Sequence, residues 1–312
     1  MTQAPKITAT VRPLPAQKDK PVNASRDAAS DASHQTLLGR LHRVLDRRLF
    51  FIVGLTRTGT HWLQQALDAH PDAICRGEGH MGDILRPLLE KALKSYDAHA
   101  IRSKSLIEAA GGRSHALGFD PEDLRALTLF AGALALEHMI GDKDPVAIGE
   151  RTPEYTMMLP TMAEIAPDAR FIHVIRDGRD ETAAAWEFNL RMKRKGFLEK
   201  YPDLDAYAEA FSAQWSMAVG KARYFARQNP DRVLQVFAED FNGKPRRTLR
   251  KICLFLGLDD TDAVLQNCLD AGHGWALVDS GAGAWKRVFS ETARAHFKRN
   301  AGELLKLLEY EI

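Results

Sequence analysis

Residues 49–61 read LFFIVGLTRTGTH and join a continuous apolar run to a turn that contains two glycines. The run Leu49–Gly54 is typical of a strand buried on both faces of a parallel sheet. A helix is predicted over Gly59–Ala69, directly after the turn. A strand, a glycine-containing turn and a helix N-terminus together direct backbone N–H groups at an anion. The segment therefore predicts a phosphate-binding loop at the carboxyl edge of a sheet.

Strand-like and helix-like segments alternate through the rest of the chain. Apolar runs at Val146–Gly149, Phe171–Ile175 and Val233–Phe237 predict further strands. Helical periodicity is found over residues 81–96, 121–140, 204–228, 248–256, 261–269 and 293–308, and from about Arg179, whereas the glycines within 100–120 favour a loop. This alternation predicts one α/β domain, with a parallel central sheet flanked by helices on both faces. Ligands of such sheets bind at the carboxyl ends of the strands.

The composition is that of a folded protein. Hydrophobic residues make up 45% of the 312 residues, which excludes a wholly disordered chain. The 43 Lys and Arg nearly balance the 41 Asp and Glu, so no nucleic-acid partner is expected. Residues 1–35 lack periodicity and predict a disordered tail, which leaves residues 36–312 as the domain. No run reaches about 18 apolar residues, so no membrane span is expected.

The three cysteines form no C-x-x-C pair, which disfavours a disulfide framework and suits a reducing compartment. We therefore expect a cytoplasmic protein. The sequence predicts no oligomeric state.

The turn resembles a Walker A loop in part. The spacing from Gly54 to Gly59 matches, but Walker A continues with Lys and Ser or Thr, where this chain has Thr60 and His61. A cation stands inside the turn instead, at Arg57. An ordinary strand-to-helix turn and an altered P-loop kinase are the alternatives at this point.

A second charged segment, R-D-G-R-D, occupies residues 176–180 directly after the run Phe171–Ile175. An arginine at the carboxyl end of a strand can donate two parallel hydrogen bonds to a phosphate. The segment is weak evidence by itself, because such loops also hold structural ion pairs.

Together the two segments resemble sulfotransferases that use 3′-phosphoadenosine-5′-phosphosulfate (PAPS). The first is similar to the family's 5′-phosphosulfate loop, P-[KR]-[ST]-G-T-T-x-L, and the second to its 3′-phosphate motif, R-D-P-R-D or R-D-G-R. Weaker similarities follow in family order at E-R-T-P-E-Y (150–155), E-D-F (239–241), A-W-K (284–286) and Y-E (310–311). The pattern is most similar to tyrosylprotein and heparan-type sulfotransferases and their bacterial relatives. The resemblance implies a P-loop NTPase-like sulfotransferase fold over roughly residues 49–312.

The resemblance also implies in-line transfer of a sulfuryl group to an acceptor. The expected acceptor is a hydroxyl of a carbohydrate, lipid or small molecule, and less so a peptide tyrosine. Arg57 is expected to neutralise charge on the leaving phosphate, and Glu78, in the loop R-G-E-G-H, to act as the base with His80 as its rival. The positions expected to contact PAPS are Arg57, Thr58, Gly59, Thr60, His61, Trp62, Arg176, Arg179, Ala184 and Lys286.

His80 and Arg151 are expected to lie near the acceptor, although a structural pair between Arg151 and Glu150 is an equal alternative. The family's usual Ser and Tyr are replaced by Ala184 and Ala238, which leaves selectivity for the 3′-phosphate open. No carboxylate cluster is evident, so no metal is expected. The cations that follow the second motif, within residues 191–200, are interpreted as a solvated face rather than an acceptor patch. A nucleotide kinase or phosphotransferase and a degenerate nucleotide-binding scaffold are the alternative functions.

Overall fold

Five parallel strands in the order β2-β3-β1-β4-β5 form the central sheet of the computed structural model, which describes residues 36–273 and 281–311. The strands are β1 (Arg48–Val53), β2 (Ala73–Cys75), β3 (Ala147–Arg151), β4 (Arg170–Ile175) and β5 (Val233–Phe237). The predicted parallel α/β fold is confirmed. Strand β2 was not predicted, because its three residues are too few to display a periodic pattern.

The chain divides into two units, residues 1–39 and residues 40–312, and the site described below lies in the second. The predicted tail over residues 1–35 lies outside the described residues. Within the described ranges, none of the helices combines the length and the apolarity that crossing a membrane requires.

Helices cover both faces of the sheet because alternate side chains of each strand point to opposite sides. Phe50 and Ile52 enter one hydrophobic cluster, and Phe51 and Val53 enter another. The helices are α1 (36–45), α2 (Thr60–Asp68), α3 (Arg86–Ala109), α4 (Pro121–Glu137), α5 (Leu159–Ile165), α6 (Gly178–Arg191), α7 (Phe197–Lys200), α8 (Leu204–Gln228), α9 (Ala238–Gly243), α10 (Pro245–Leu256), α11 (Asp262–His273), α12 (Trp285–Val288) and α13 (Glu291–Leu307).

The register of the sheet brings three motifs together. Phe51 of β1 aligns with Glu150 of β3 on one side and with Phe171 of β4 on the other. Because the three strands are parallel, the segments that follow them leave the same edge side by side. These segments are the turn after β1, the E-R-T-P-E-Y segment that begins in β3, and the R-D-G-R-D segment after β4.

The loop predicted over residues 100–120 is wrong in its first half. Helix α3 extends to Ala109, well beyond the predicted end at Tyr96. Glycine interrupts the chain only from Gly111 onward, so nothing in residues 97–109 opposes a helix. The helix also begins later than predicted, because Met81–Leu85 form a wider π-type turn before Arg86.

Candidate active site at the carboxyl edge of the sheet

The turn after β1 has the geometry of an anion-binding loop. Gly59 has a φ of 91°, a left-handed conformation that favours glycine, and it precedes α2 without a side-chain cap. A Cβ at Gly54 would lie 2.8 Å from the carbonyl oxygen of Val174, so only glycine fits there. The first N–H groups of α2 have no partner within the helix. These N–H groups suit the oxygen atoms of a phosphate or phosphosulfate.

The two charged motifs touch at Arg57. The backbone of Arg57 is left-handed, with a φ of 68°. Its carbonyl oxygen accepts a hydrogen bond of 2.9 Å from Nη1 of Arg176. Its guanidinium lies 5.2 Å from the ring centroid of Phe188 and lines a cavity beside the sheet edge. The second motif therefore supports the backbone from which the cation of the first motif projects.

The other residues of the turn differ in what they present. Thr60 and His61 line the cavity with Gly59 and Arg57. Burial, followed by the charge of Arg151, lowers the pKa of His61. Thr58, by contrast, is buried and donates its hydroxyl to the carbonyl oxygen of Leu55 at 2.8 Å, so its side chain shapes the turn.

Trp62 belongs largely to the core. Its side chain is buried and its ring centroid lies 4.8 Å from that of Phe241. The residue still contributes to the cavity lining. Contact of its indole ring with PAPS stays a prediction.

Glu78 lies on the loop that joins β2 to α3. Its side chain is 40% exposed, lines the cavity and accepts a hydrogen bond from Nη2 of Arg151. Gln64 of α2 ties this pair to the phosphate-loop helix. The Gln64 amide donates to the carbonyl oxygen of Gly77 at 2.9 Å and accepts from Nε of Arg151 at 3.3 Å. Arg151 therefore pairs with Glu78, and the alternative pair with Glu150 is not observed.

His80 lies between two carboxylates. Its Nδ1 is 2.7 Å from Oδ2 of Asp83, and its Nε2 is 3.6 Å from Oε2 of Glu78. The hydrogen bond with Asp83 is the main cause that raises the pKa of His80. Among the described residues that line the cavity, Glu78 and Asp83 are present and His80 is not. His80 is therefore placed to act on Glu78 rather than directly on a molecule in the cavity.

The E-R-T-P-E-Y segment holds the Glu78 loop in place. The buried carboxylate of Glu150 accepts hydrogen bonds from the N–H of Gly79 at 2.7 Å and from the hydroxyl of Thr152 at 2.6 Å. The Tyr155 hydroxyl oxygen accepts from the N–H of Met81 at 2.5 Å. Burial raises the pKa of Glu150. This segment fixes the backbone on both sides of Glu78 and His80.

Most charged side chains of the second motif form ion pairs or hydrogen bonds within the protein. Arg179 donates two hydrogen bonds to Asp177, at 2.9 and 2.7 Å, and lies 4.1 Å above the ring centroid of Trp285. Asp180 accepts from the N–H groups of Gly283 and Trp285, at 2.8 and 2.9 Å. The structural ion pair considered for R-D-G-R-D is present, and the motif also anchors the A-W-K segment.

The weak C-terminal motifs converge on the same loop. Glu239 accepts from the N–H of Asp177 at 3.0 Å and from the hydroxyl of Tyr310 at 3.1 Å. Burial raises the pKa of Glu239. Lys286 forms an exposed ion pair of 2.5 Å with Glu311. The E-D-F, A-W-K and Y-E segments are therefore joined by hydrogen bonds to one another or to residues 177–180.

Five of the predicted PAPS positions are not part of the cavity lining in the described structure, namely Thr58, Arg176, Arg179, Ala184 and Lys286. Ala184 is buried. Thr182, the nearest hydroxyl in the helix, donates to the carbonyl oxygen of Gly178 at 2.7 Å. Arg176, Arg179, Ala184 and Lys286 stay predictions for the nucleotide end of PAPS.

Three residues near Glu78 offer metal ligands. His80, Asp83 and Glu154 each place one ligand atom within 4.8 Å of the others. The sequence did not predict this group, because Glu154 is distant in sequence from His80 and Asp83.

Sequence reasoning missed Gln64 and Asp83. Asp83 follows His80 by three residues, a spacing that a turn could have indicated. Gln64 sits on a helix whose orientation toward the site depends on packing, so no local signal marks it.

The Sulfotransferase family model matches residues 50–262, and the chain belongs to this family. Among curated proteins, it is 27% identical over 252 residues to protein-tyrosine sulfotransferase 1 of Danio rerio, which covers 75% of this chain and 63% of that protein. It is also 27% identical to the protein-tyrosine sulfotransferase of Drosophila melanogaster, over 70% of this chain and 40% of that one. The chain thus spans less than two thirds of the length of these relatives.

Solved structures support the same fold. The sulfotransferase STF9 of Mycobacterium avium superimposes with a TM-score of 0.57 and 14% identity, over 91% of this chain and 82% of that one. Mouse sulfotransferase SULT7A1, crystallised with PAP, has a TM-score of 0.53 and 16% identity, over 86% and 89% of the two chains. The predicted family and its fold are both confirmed.

Proposed function

We propose that the protein transfers a sulfuryl group from PAPS to an acceptor hydroxyl. The observation that carries this proposal is the contact between the two motifs. Arg176 supports the backbone of Arg57, and the Arg57 side chain shares one cavity with Glu78. An anion-binding turn and a carboxylate thus face the same space. The mouse relative crystallised with PAP supports the choice of donor.

The turn is proposed to bind the phosphosulfate end. PAPS supplies a sulfuryl group on a good leaving group, so the protein's task is mainly positioning and charge stabilisation, as in phosphoryl transfer. The N–H groups at the start of α2 and the Arg57 guanidinium bind the 5′-phosphate oxygens. Arginine is permanently charged, so Arg57 stabilises the leaving phosphate electrostatically and does not donate a proton.

Glu78 is proposed to receive the acceptor proton. A new bond forms between the acceptor oxygen and sulfur as the bridging sulfur–oxygen bond breaks, and the acceptor proton passes to a carboxylate oxygen of Glu78. Arg151 orients this carboxylate through one oxygen, while His80 lies 3.6 Å from the other. Asp83 fixes the imidazole ring. His80 and Asp83 are therefore positioning residues in this proposal.

Incubation with PAPS labelled on sulfur and a panel of hydroxyl acceptors tests the proposal. We expect labelled sulfate to appear on an acceptor, with release of PAP. Transfer from γ-labelled ATP with magnesium would instead identify a kinase. Nucleotide binding without transfer to any acceptor would identify a scaffold.

We also propose that the protein works in a reducing compartment, the cytoplasm. Cys75, Cys253 and Cys268 are buried free thiols in the described structure, which supports this assignment. Fractionation of cells that express the tagged full chain tests it, and recovery with a secreted or membrane fraction would contradict it.

A further inference from the structure

The cavity beside Glu78 extends well beyond the phosphate-binding turn. Its volume is about 1030 Å³. The turn, Arg57, Glu78 and Arg151 line it. Other lining residues have no role in the transfer of the sulfuryl group. The chemistry of these other residues indicates which acceptors the cavity suits.

Six of these other lining side chains are thioethers or aromatic rings, which we call the apolar wall. They come from the segment after β3 and from helices α6, α7 and α8, and they are Met157, Met158, Phe188, Phe197, Tyr207 and Phe211. Three of them, Phe197, Tyr207 and Phe211, belong to one packed hydrophobic cluster. The Phe197 and Tyr207 ring centroids are 5.3 Å apart, and those of Tyr207 and Phe211 are 5.6 Å apart. Thioethers and aromatic rings suit an apolar body and leave the hydroxyls of a polyol without partners.

Three cations close in sequence to these aromatic residues also line the cavity. They are Arg194, Lys195 and Lys200, and all three are exposed. In the described ranges, no carboxylate forms an ion pair with any of them. The carboxylates that line the cavity, Glu78, Asp83 and Glu154, come instead from the segments that follow β2 and β3. The lining residues between positions 188 and 200 therefore carry positive charge and no carboxylate.

We infer that the acceptor is an amphipathic anion, with an aromatic or alkyl body and a negatively charged group in addition to its reacting hydroxyl. The body packs on the apolar wall, and the anionic group binds the three exposed cations, which we call the basic rim (Arg194, Lys195 and Lys200). The hydroxyl then points to Glu78. This inference rests on the proposed function, because it names the acceptor of the same site. It also revises the earlier interpretation of these cations as a solvated face.

Paired probes that differ only in charge test the inference. Calorimetry compares para-hydroxyphenylpropanoate with its amide, using the full chain saturated with PAP, and methyl glucoside serves as a neutral polyol. We expect the acid to bind at least about tenfold more tightly than the amide, which corresponds to about 1.4 kcal/mol. The preference should shrink as salt is raised, because the rim is exposed to solvent.

Substitutions in one short segment provide the matched control. The double variant Lys195→Gln with Lys200→Gln should reduce the preference for the acid to less than about threefold, leaving affinity for the amide and for PAP unchanged. Lys193→Gln removes the same type of charge from the same segment, at a residue outside the cavity lining, and should leave the preference intact. Equal binding of acid and amide, tighter binding of the glucoside, no binding of any probe, or an equal effect of Lys193→Gln would overturn the inference.

The two proposals fail in different ways. If the donor assignment is wrong, PAP does not bind, and the comparison of acid with amide is then made on the chain without nucleotide. If only the acceptor inference is wrong, PAP binds and the acid has no advantage. Binding of the probes is thus scored independently of sulfuryl transfer.

Discussion

Two regions of the same sheet edge use similar residues in opposite ways. The first, which we call the cavity edge, comprises residues 54–62 and 76–80 with Arg151. The second, the buried edge, comprises residues 176–181 with Glu239, the segment 283–285 and Tyr310. Both contain arginines and carboxylates that follow parallel strands.

The difference lies in how far these charges are exposed. In the buried edge, the Arg179 and Asp177 side chains are only 5% and 9% exposed and pair with each other. In the cavity edge, Glu78 also has an ion-pair partner, Arg151, but it is 40% exposed and lines a cavity. Buried charges build the frame, whereas an ion-paired carboxylate that lines a cavity stays accessible to a ligand. The sequence of a motif alone does not distinguish these two roles.

The largest effect is expected from Arg57→Gln, because the guanidinium acts on charge that develops in the transition state. Loss of such a donor costs about 10²–10³-fold in rate. Single-turnover transfer from PAPS measures the loss. Arg191→Gln is the control, since its guanidinium also lies over the Phe188 ring, at 5.9 Å, but outside the cavity lining. A rate loss of less than threefold for Arg57→Gln would contradict the proposed role of Arg57 in stabilising the leaving phosphate.

Glu78→Gln is expected to lower the rate by about 10²-fold, because general base catalysis is worth that much or more. Glu154→Gln is the matched control, because it replaces another carboxylate that lines the same cavity. Steady-state kinetics at fixed, saturating PAPS measures both. Equal losses in the two variants would indicate a general charge effect in place of a base.

Glu181→Gln tests the buried edge through stability. Glu181 is fully buried, neither carboxylate oxygen has a hydrogen-bond partner in the described structure, and burial raises its pKa well above the ordinary value of 4.5. The folded protein then holds a proton that the unfolded chain loses. Stability contributed by this group is therefore lost as pH rises above 4.5, by up to about 1.4 kcal/mol per pH unit.

Glutamine cannot ionise, so the variant should lose this pH dependence and gain stability relative to the wild type at pH 8. Urea unfolding at pH 5 and pH 8 gives the comparison. If the free energies of unfolding of the wild type and the variant change with pH in parallel, Glu181 does not carry the raised pKa.

Asp83→Asn is expected to have the smallest effect, on the pH profile. Asp83 raises the pKa of His80 above its ordinary value of 6.5, so the variant should move the His80 titration to lower pH. A raised pKa stabilises the fold below 6.5 and ceases to do so as pH rises through the folded value. The variant should therefore lose stability at pH 5.5 and little at pH 9.

The His80 ring resonances and the pH dependence of kcat report the shift directly. An unchanged KM for PAPS, with a shifted profile for kcat, is expected of a positioning residue. If Asp83→Asn shifts neither the titration of the His80 resonances nor the pH dependence of kcat, Asp83 does not act through His80.

The bounds of helices and strands were predicted better than the directions in which their side chains point. Helix Leu204–Gln228 and strand Val233–Phe237 have the predicted bounds, because their patterns are long or strongly apolar and end at clear breakers. The positions of both motifs at the strand ends also agreed. Side-chain directions in the turn after β1 and in the first turn of α6 were not predictable, and there the side chains of Thr58 and Arg179 point inward.

Binding of PAP is the measurement that tests the sulfotransferase assignment most directly, because it needs no knowledge of the acceptor. Calorimetric titrations compare PAP with adenosine 5′-phosphate, which lacks the 3′-phosphate, and with ATP–magnesium. We expect PAP to bind most tightly and Arg176→Ala to remove this preference. Preference for ATP–magnesium, or no binding of PAP, would contradict it.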